Sequence, residues 1–384
     1  MLAATVRVTR DLDLAQECAQ DAFTRALTSW STEGVPDNPG AWLTTVARRR
    51  ALDVLRREDT LRRKLPLLIE AEPEPVGAIP DDRLRLVFTC CHPALAVEAQ
   101  VALTLRLLCG LSTAEVARAF VVSETTMAAR LTRAKRKISQ ARIPYRVPEA
   151  ADLPGRVDAV LAALHLLFTT GHAAPTGGEL RRSDLVERAL DLTRLVHRLL
   201  PGPEVAGLLA LLLLTDARRD TRVDAAGALV LLEDQDRGRW DRAAIDEGLV
   251  LVREALRARP PGRFALQAAI AAVHADSATW AETDWREIAA LYALLEQRWP
   301  SPVVALNRAV AVGFAHGWVA GLAALDALAQ EPALSSYGYL PAARADALRR
   351  LGRTAEARAA YADALALTSN DVERAFLEAR LAQS

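Results

Sequence analysis

Along most of the chain apolar residues recur every three or four positions, the spacing that lines one face of a helix. No alternating run bounded by hairpin turns interrupts this, so the pattern predicts an all-α protein. Residues 12–30 form one helix. A second starts at Asn38 and Pro39, with Asn38 as N-cap and Pro39 at the first helical position, where its missing N–H would be unpaired anyway. It runs to about Arg57. Residues 70–80 hold three prolines and three acids without a period and mark a linker. A second helical block fills 81–143.

From about residue 155 onward the chain reads as successive helices of about 10–18 residues, near the usual globular range. They are broken at 171–178, 201–203, 234–238, 260–262, 299–300 and 331–338. No helix here could bury its apolar face alone, so they must stack. Ala345, Ala357, Tyr361 and Ala364 stand where a 34-residue tetratricopeptide repeat wants small and aromatic residues. One repeat back, Ala311 and Ala323 fit, but Ala327 takes the aromatic slot. Residues 303–368 therefore read as tetratricopeptide-like hairpins, and 155–300 shows no clear period.

The densest chemistry lies between 111 and 143. Ser112 and Glu115 make a capping box, in which the serine accepts from the N3 amide and the glutamate reaches back to the cap. A short helix follows to Phe120, then Val121 and Val122, then a second cap at Ser123 and a helix through Ile138. Met127, Leu131, Ala134 and Ile138 form one apolar stripe on it, which packs on the first helix. Its other faces present Thr125, Thr126, Arg130, Arg133, Lys135, Arg136 and Lys137. This is helix-turn-helix geometry, with the second helix fitted to a major groove. Thr125, Thr126 and Arg130 would reach base edges, the later cations would meet phosphates, and the capping Ser123 counts with them among the DNA-binding residues. The same residues also suit a helical bundle with a solvated basic face.

Charge separates these readings. The chain carries 48 basic and 48 acidic groups, a net of zero. Residues 1–146 hold 22 basic and 17 acidic groups, net +5, and residues 147–384 hold 26 and 31, net −5. Leu111–Ile143 alone holds seven basic groups against Glu115 and Glu124. Such asymmetry suggests a nucleic-acid module joined to something else. The helix after Asn38 adds Arg48, Arg49, Arg50, Arg56 and Arg57, preceded by Trp42, which could stack on an unpaired base or fill core. Two basic helices joined by an acidic linker suit a protein that contacts two spaced DNA sites.

The order of these features resembles the extracytoplasmic-function group of bacterial RNA polymerase sigma factors, in the sigma-70 family. Asp13–Leu27 resembles that family's core-polymerase-binding helix, Asn38–Arg57 its helix for −10 melting and recognition, and Gly110–Lys137 its −35-binding helix-turn-helix. The helical C-terminus, with Thr89–Leu95 and His165–His172, resembles the subgroup that carries a tetratricopeptide-like extension. The resemblance implies region 2 at 1–58, a linker at 59–80, region 4 at 81–143 and a regulatory helical domain at 155–384. It places Asp13, Gln16, Gln20, Asp21 and Phe23 against the clamp helices of core RNA polymerase. It places the loop Val35–Asn38 where a base flipped from the −10 strand is captured, with Trp42, Arg49, Arg50, Arg56 and Arg57 supporting strand opening on promoter DNA.

Other candidates are weaker. Cys90, Cys91 and His92 lack the second spaced pair that tetrahedral zinc needs, and Cys18 and Cys109 show no disulfide framework, so buried thiols are expected. His165 and His172 share a helical face without a catalytic companion and read as core or capping residues. There is no phosphate-cradling glycine loop and no HExxH, so neither enzymatic activity nor a cofactor is expected. Apolar runs such as Leu208–Leu214 fall short of a bilayer span, which points to a cytoplasmic protein without membrane contact. Two rival functions remain open: a one-component helix-turn-helix regulator whose C-terminal helices hold a ligand or protein, and a repeat scaffold. The opposite charges of the two parts suggest that the C-terminal domain contacts the sigma domains intramolecularly.

Overall fold

The structure is a computed structural model that describes residues 1–62, 82–120, 122–149, 151–174 and 177–383, apart from the side chains of 56–62, 118 and 119. The linker expected at 59–80 lies almost wholly outside the described residues. The fold is all-α, with no strand among the described residues. The chain divides into two compact units, Met1–Leu164 and His165–Ser384.

The first unit contains α1 (Leu2–Thr9), α2 (Leu12–Glu33), α3 (Pro39–Arg62), α4 (Asp82–Cys90), α5 (Val97–Leu107), α6 (Thr113–Ala119), α7 (Glu124–Gln140) and the start of α8 (Leu153–His172). Small buried residues of α2, among them Ala15, Ala19, Ala22 and Ala26, let it lie close to Ala47 and Ala51 of α3. α2 outruns the expected end at residue 30. The Ser31 hydroxyl donates to the Thr28 carbonyl at 2.8 Å and the Thr32 hydroxyl to Ser29 at 3.0 Å, so these residues stay in the helix by bonding back to it. α3 likewise continues past Arg57 to Arg62. α4 is buried nearly all round, as a core helix should be. The Tyr145 hydroxyl joins α1 to α4, sharing its proton between the carbonyls of Ala3 (2.8 Å) and Asp82 (2.9 Å).

The second unit stacks helices as the period demanded: α9 (Ser183–Leu199), α10 (Pro203–Asp216), α11 (Arg242–Ala255), α12 (Arg263–Asp276), α13 (Trp285–Arg298), α14 (Pro302–His316), α15 (Trp318–Asp326), α16 (Tyr339–Arg350), α17 (Thr354–Leu367) and α18 (Asp371–Gln383). Two crossings are close enough to require glycine. A Cβ on Gly207 of α10 would lie 2.6 Å from the Ala265 nitrogen of α12, and one on Gly321 of α15 would lie 2.6 Å from the Gly313 Cα of α14. In the last hairpin Ala345, Ala357, Tyr361 and Ala364 are all buried. One hairpin earlier the register fails: Ala311 is buried, Ala323 and Ala327 are exposed, and Leu322 and Leu325 fill the core.

The sequence reading also placed a break only at 234–238, whereas α10 ends at Asp216 and residues 217–241 hold no α-helix. Asp224 is one cause. Its carboxylate accepts from the amides of Ala226 (2.8 Å) and Ala228 (2.9 Å) around Gly227 at φ +82°, a local turn that competes with helix.

Candidate nucleic-acid interface

The α6–α7 pair forms from local signals. Glu115 N–H donates to the Ser112 hydroxyl at 3.2 Å, and the Glu115 carboxylate accepts from Ser112 N–H at 2.6 Å, completing the capping box. Ser123 caps α7 by accepting from Thr126 N–H at 3.2 Å, and its hydroxyl also lies 2.9 Å from that of Thr125 and 2.8 Å from that of Thr126. These three hydroxyls thus hold one another at the exposed start of α7. Met127, Leu131, Ala134 and Ile138 are buried as the stripe required.

The cations of α7 divide. Arg133, Arg136 and Lys137 are exposed, while Arg130 is half-buried with its guanidinium over the Phe120 ring, 5.5 Å from its centroid. Lys135 turns away from solvent. Its ammonium donates to the Asp13 carboxylate at 2.6 Å and to the Gln16 amide oxygen at 2.5 Å, both on α2.

On α2, Asp13, Gln16, Gln20 and Phe23 follow one another at three, four and three residues and so share one face. Leu27 extends the row by one turn. Phe23 is 53% exposed and Leu27 79% exposed. Two large apolar side chains thus stand exposed one turn apart on an otherwise polar helical face. The sequence reading stopped at Phe23, although i+4 spacing alone puts Leu27 beside it. Asp21 lies off this row and pairs with Arg50 of α3 at 2.8 Å, a bond that raises the pKa of the Arg50 guanidinium.

α3 begins as expected, with the Asn38 side chain accepting from Ala41 N–H at 3.0 Å. Trp42 stands edge-on to Trp30 with ring centroids 5.5 Å apart, half-buried, so one part of the indole is core and another meets solvent. Arg48 and Arg49 are exposed, as is Val35 in the preceding loop. The side chains of Arg56 and Arg57 lie outside the described residues.

All four cysteines are buried, outside any disulfide. Burial pushes the Cys91 thiol up to about 11 and Cys90 well above its ordinary value, which makes both poor thiolates. No group of His, Cys, Asp or Glu among the described residues could hold a metal ion. No helix among the described residues is long and apolar enough to cross a membrane. In the second unit, His172 stacks on Phe168 at 5.3 Å and His165 stands edge-on to Phe264 at 5.4 Å. His165 also reaches the wall of a cavity, which the sequence reading did not foresee.

A family model described as Sigma-70 region 2 matches residues 2–60, one described as Sigma-70, region 4 matches 85–138, and a family of unknown function (DUF6596) matches 156–256. An uncharacterized protein of Rhizobium meliloti (strain 1021) is 44% identical over 391 residues, covering 99% of this chain and 92% of that protein. No solved structure matches. Sigma-70 domains work in transcription initiation, on promoter DNA with RNA polymerase, which is the role of a transcription factor and not of an enzyme. Two sigma-70 regions in family order, followed by a separate helical region, make the chain a member of the sigma-70 family with a C-terminal extension.

Proposed function

We propose that this chain is a specificity subunit of the extracytoplasmic-function type. It docks on core RNA polymerase through the outer face of α2, opens the −10 region with α3 and the loop before it, and reads the −35 element with α7. The observation that supports the reading is the row Asp13, Gln16, Gln20, Phe23 and Leu27, in which Phe23 and Leu27 stand exposed, on the same unit as the cationic α7. A single-site operator binder has no need of such a row.

Each step has a physical basis. Arg133, Arg136 and Lys137 meet phosphates and set the register of α7 in the groove, while Ser123, Thr125, Thr126 and Arg130 face base edges. At the −10 element the loop Val35–Asn38 receives a flipped base, Trp42 lies beside the opened strand, and Arg49, Arg50, Arg56 and Arg57 hold the backbone. Unstacking costs a few kcal/mol per step, which binding of the freed bases offsets without nucleotide hydrolysis. Lys135 starts out bonded to the α2 face. The Lys135 side chain is 16% exposed but that of Asp13 is 74% exposed, so the bond is open to water from the Asp13 side, is worth about 1 kcal/mol, and can be displaced by polymerase docking to free Lys135 for DNA.

The test is run-off transcription with purified full-length protein and core polymerase on a promoter whose two elements lie about two helical turns apart. Transcripts that start at one position only when the protein is added support the reading. Failure to bind core polymerase overturns it. The C-terminal helices modulate this activity, a role supported by the net −5 of residues 147–384 against +5 before them. Full-length protein compared with a chain ending at Leu164 gives the sign, and equal activity removes the modulatory role.

A further inference from the structure

Within the second unit a cavity of about 500 Å³ opens among α10, α12, α13 and α14, with residues of 217–241 closing one side. Most of its wall is aliphatic, from Leu211, Leu214, Ile270 and Leu295 among others. The polar groups that reach it include Arg218, His165, His274, Tyr292, Gln267 and Asn307, and no Asp or Glu lines it. A volume of this size, mostly apolar with a few converging polar groups, is that of a small-molecule site.

Arg218 is what the fold leaves unexplained. Its neighbours among the arginines of this unit are each given acceptors. Arg181 bonds Asp216 at 3.0 Å, Arg219 bonds Asp241 at 3.0 Å, and Arg350 bonds Glu233 at 2.7 Å. Arg237 donates to the carbonyls of His274 and Ser277 and to the Thr283 hydroxyl, and Arg222 donates to the His172 carbonyl. Arg218 faces the cavity with no carboxylate paired to it among the described residues. Burial, with Arg222 nearby, lowers its pKa to about 10, which still leaves it charged at neutral pH. Arg218 is half-buried in the cavity wall, and a cation held there without a paired carboxylate is found where a partner arrives from outside.

The other polar groups fit the same partner. Burial raises the Tyr292 hydroxyl to about 12, so it keeps its proton and can donate. Burial lowers His165 and His274 to about 4, so both are neutral and add hydrogen-bonding capacity without charge. The His274 Nδ1 atom is itself buried with no hydrogen-bond partner. A metal cation has no acid here to hold it, and Arg218 would repel it.

We propose that this cavity binds a small organic anion, a carboxylate or sulfonate joined to an apolar ring or chain, with its head on Arg218 and Tyr292 and its body against the aliphatic wall. The site is independent of the DNA and polymerase surfaces, and its test does not depend on them.

Two fluorescent probes that differ in charge make the test on the full-length chain: anilinonaphthalene sulfonate and its uncharged counterpart phenylnaphthylamine. Wild-type protein should bind the sulfonate saturably at one site and more tightly than the amine. Arg218→Met should weaken the sulfonate by about tenfold or more, the usual loss for a charged hydrogen bond, and leave the amine as tight or tighter. Tyr292→Phe removes one hydroxyl and should weaken only the sulfonate, by a few fold, which keeps the test open should Arg218→Met fail to fold. Ala271→Trp, which takes up part of the cavity, should weaken both. Equal sulfonate affinity in wild type and Arg218→Met, or in wild type and Tyr292→Phe where Arg218→Met does not fold, overturns the proposal. So does sulfonate affinity that Ala271→Trp leaves unchanged.

Discussion

The two units use the same side chain in opposite ways. On α7, arginine and lysine stand in water at Arg133, Arg136 and Lys137, where they keep their hydration and act on any polyanion within a Debye length. In the second unit Arg218 is half-buried and lines a cavity. The exposed cations are inexpensive for the fold and weakly selective, so selectivity must come from the helix that carries them. A half-buried cation in a cavity wall is more selective, because an anion that reaches it must also fit the space around it. The contrast extends to apolar residues: Phe23 is displayed on α2, while Phe264, 1% exposed, is locked between helices of the second unit.

The sharpest way to break this comparison is to exchange the consequences. Phe264→Ala should lower unfolding free energy by about 3–5 kcal/mol in a denaturant titration, whereas Phe23→Ala should change stability by about 0.5 kcal/mol or less yet weaken core polymerase binding by roughly thirtyfold, the effect of a hot-spot residue. If Phe23→Ala unfolds the protein and leaves polymerase binding intact, the assignment of a displayed face is wrong.

Next in size is acid sensitivity of the second unit. Burial, then a neighbouring arginine, lowers His165 and His274 to about 4 and His172 to about 2, against an ordinary 6.5. Unfolded chains take up protons on these imidazoles below about pH 6.5 and the folded chain does not, so their contribution is intact above 6.5. It is lost as pH falls from 6.5 towards 4, at up to about 1.4 kcal/mol per pH unit for each imidazole. Urea midpoints of wild type and His274→Gln across that window check it. The variant should show the shallower dependence.

A smaller effect is expected at α7. Replacing Arg133, Arg136 and Lys137 by alanine should weaken promoter binding and flatten the plot of log affinity against log salt by about 0.9 for each phosphate that is no longer neutralised. An unchanged slope would mean that these cations meet no DNA. Least of all, Lys135→Ala should cost below about 1 kcal/mol of stability, because the Asp13 side of the bond is open to water. A larger loss by thermal melting would show that the bond to α2 locks the first unit.

What could be read without coordinates follows from how local each signal is. Ser112 with Glu115, Asn38 with Pro39, and the four-residue stripe on α7 lie within one or two helical turns, so their partners are adjacent in sequence. The end of α2 differs from the expectation because serine and threonine at 29–32 look like a stop and instead bond back along the helix. Lys135 resembled any other cation of the DNA face, and its turn toward Asp13 is set by packing across 122 residues. The cavity was illegible for two reasons. Its wall draws residues from His165 to Asn307, and in a chain this rich in arginine nothing local marks Arg218 as the one that lines it.

The side of the cavity formed by 217–241 is made of short turns and not of a helix, held in place by Trp240 Nε1 on Thr221 at 3.0 Å and by Glu233 on Arg350. Helical walls are bound to their neighbours at every turn, so altering one disturbs the whole stack. A wall of turns can be lengthened, shortened or rewritten between its pinning points while α10 and α11 stay where they are. The second unit thus joins a helical frame to one panel of turns, and a change in the length of that panel would reshape the cavity while leaving the frame in place.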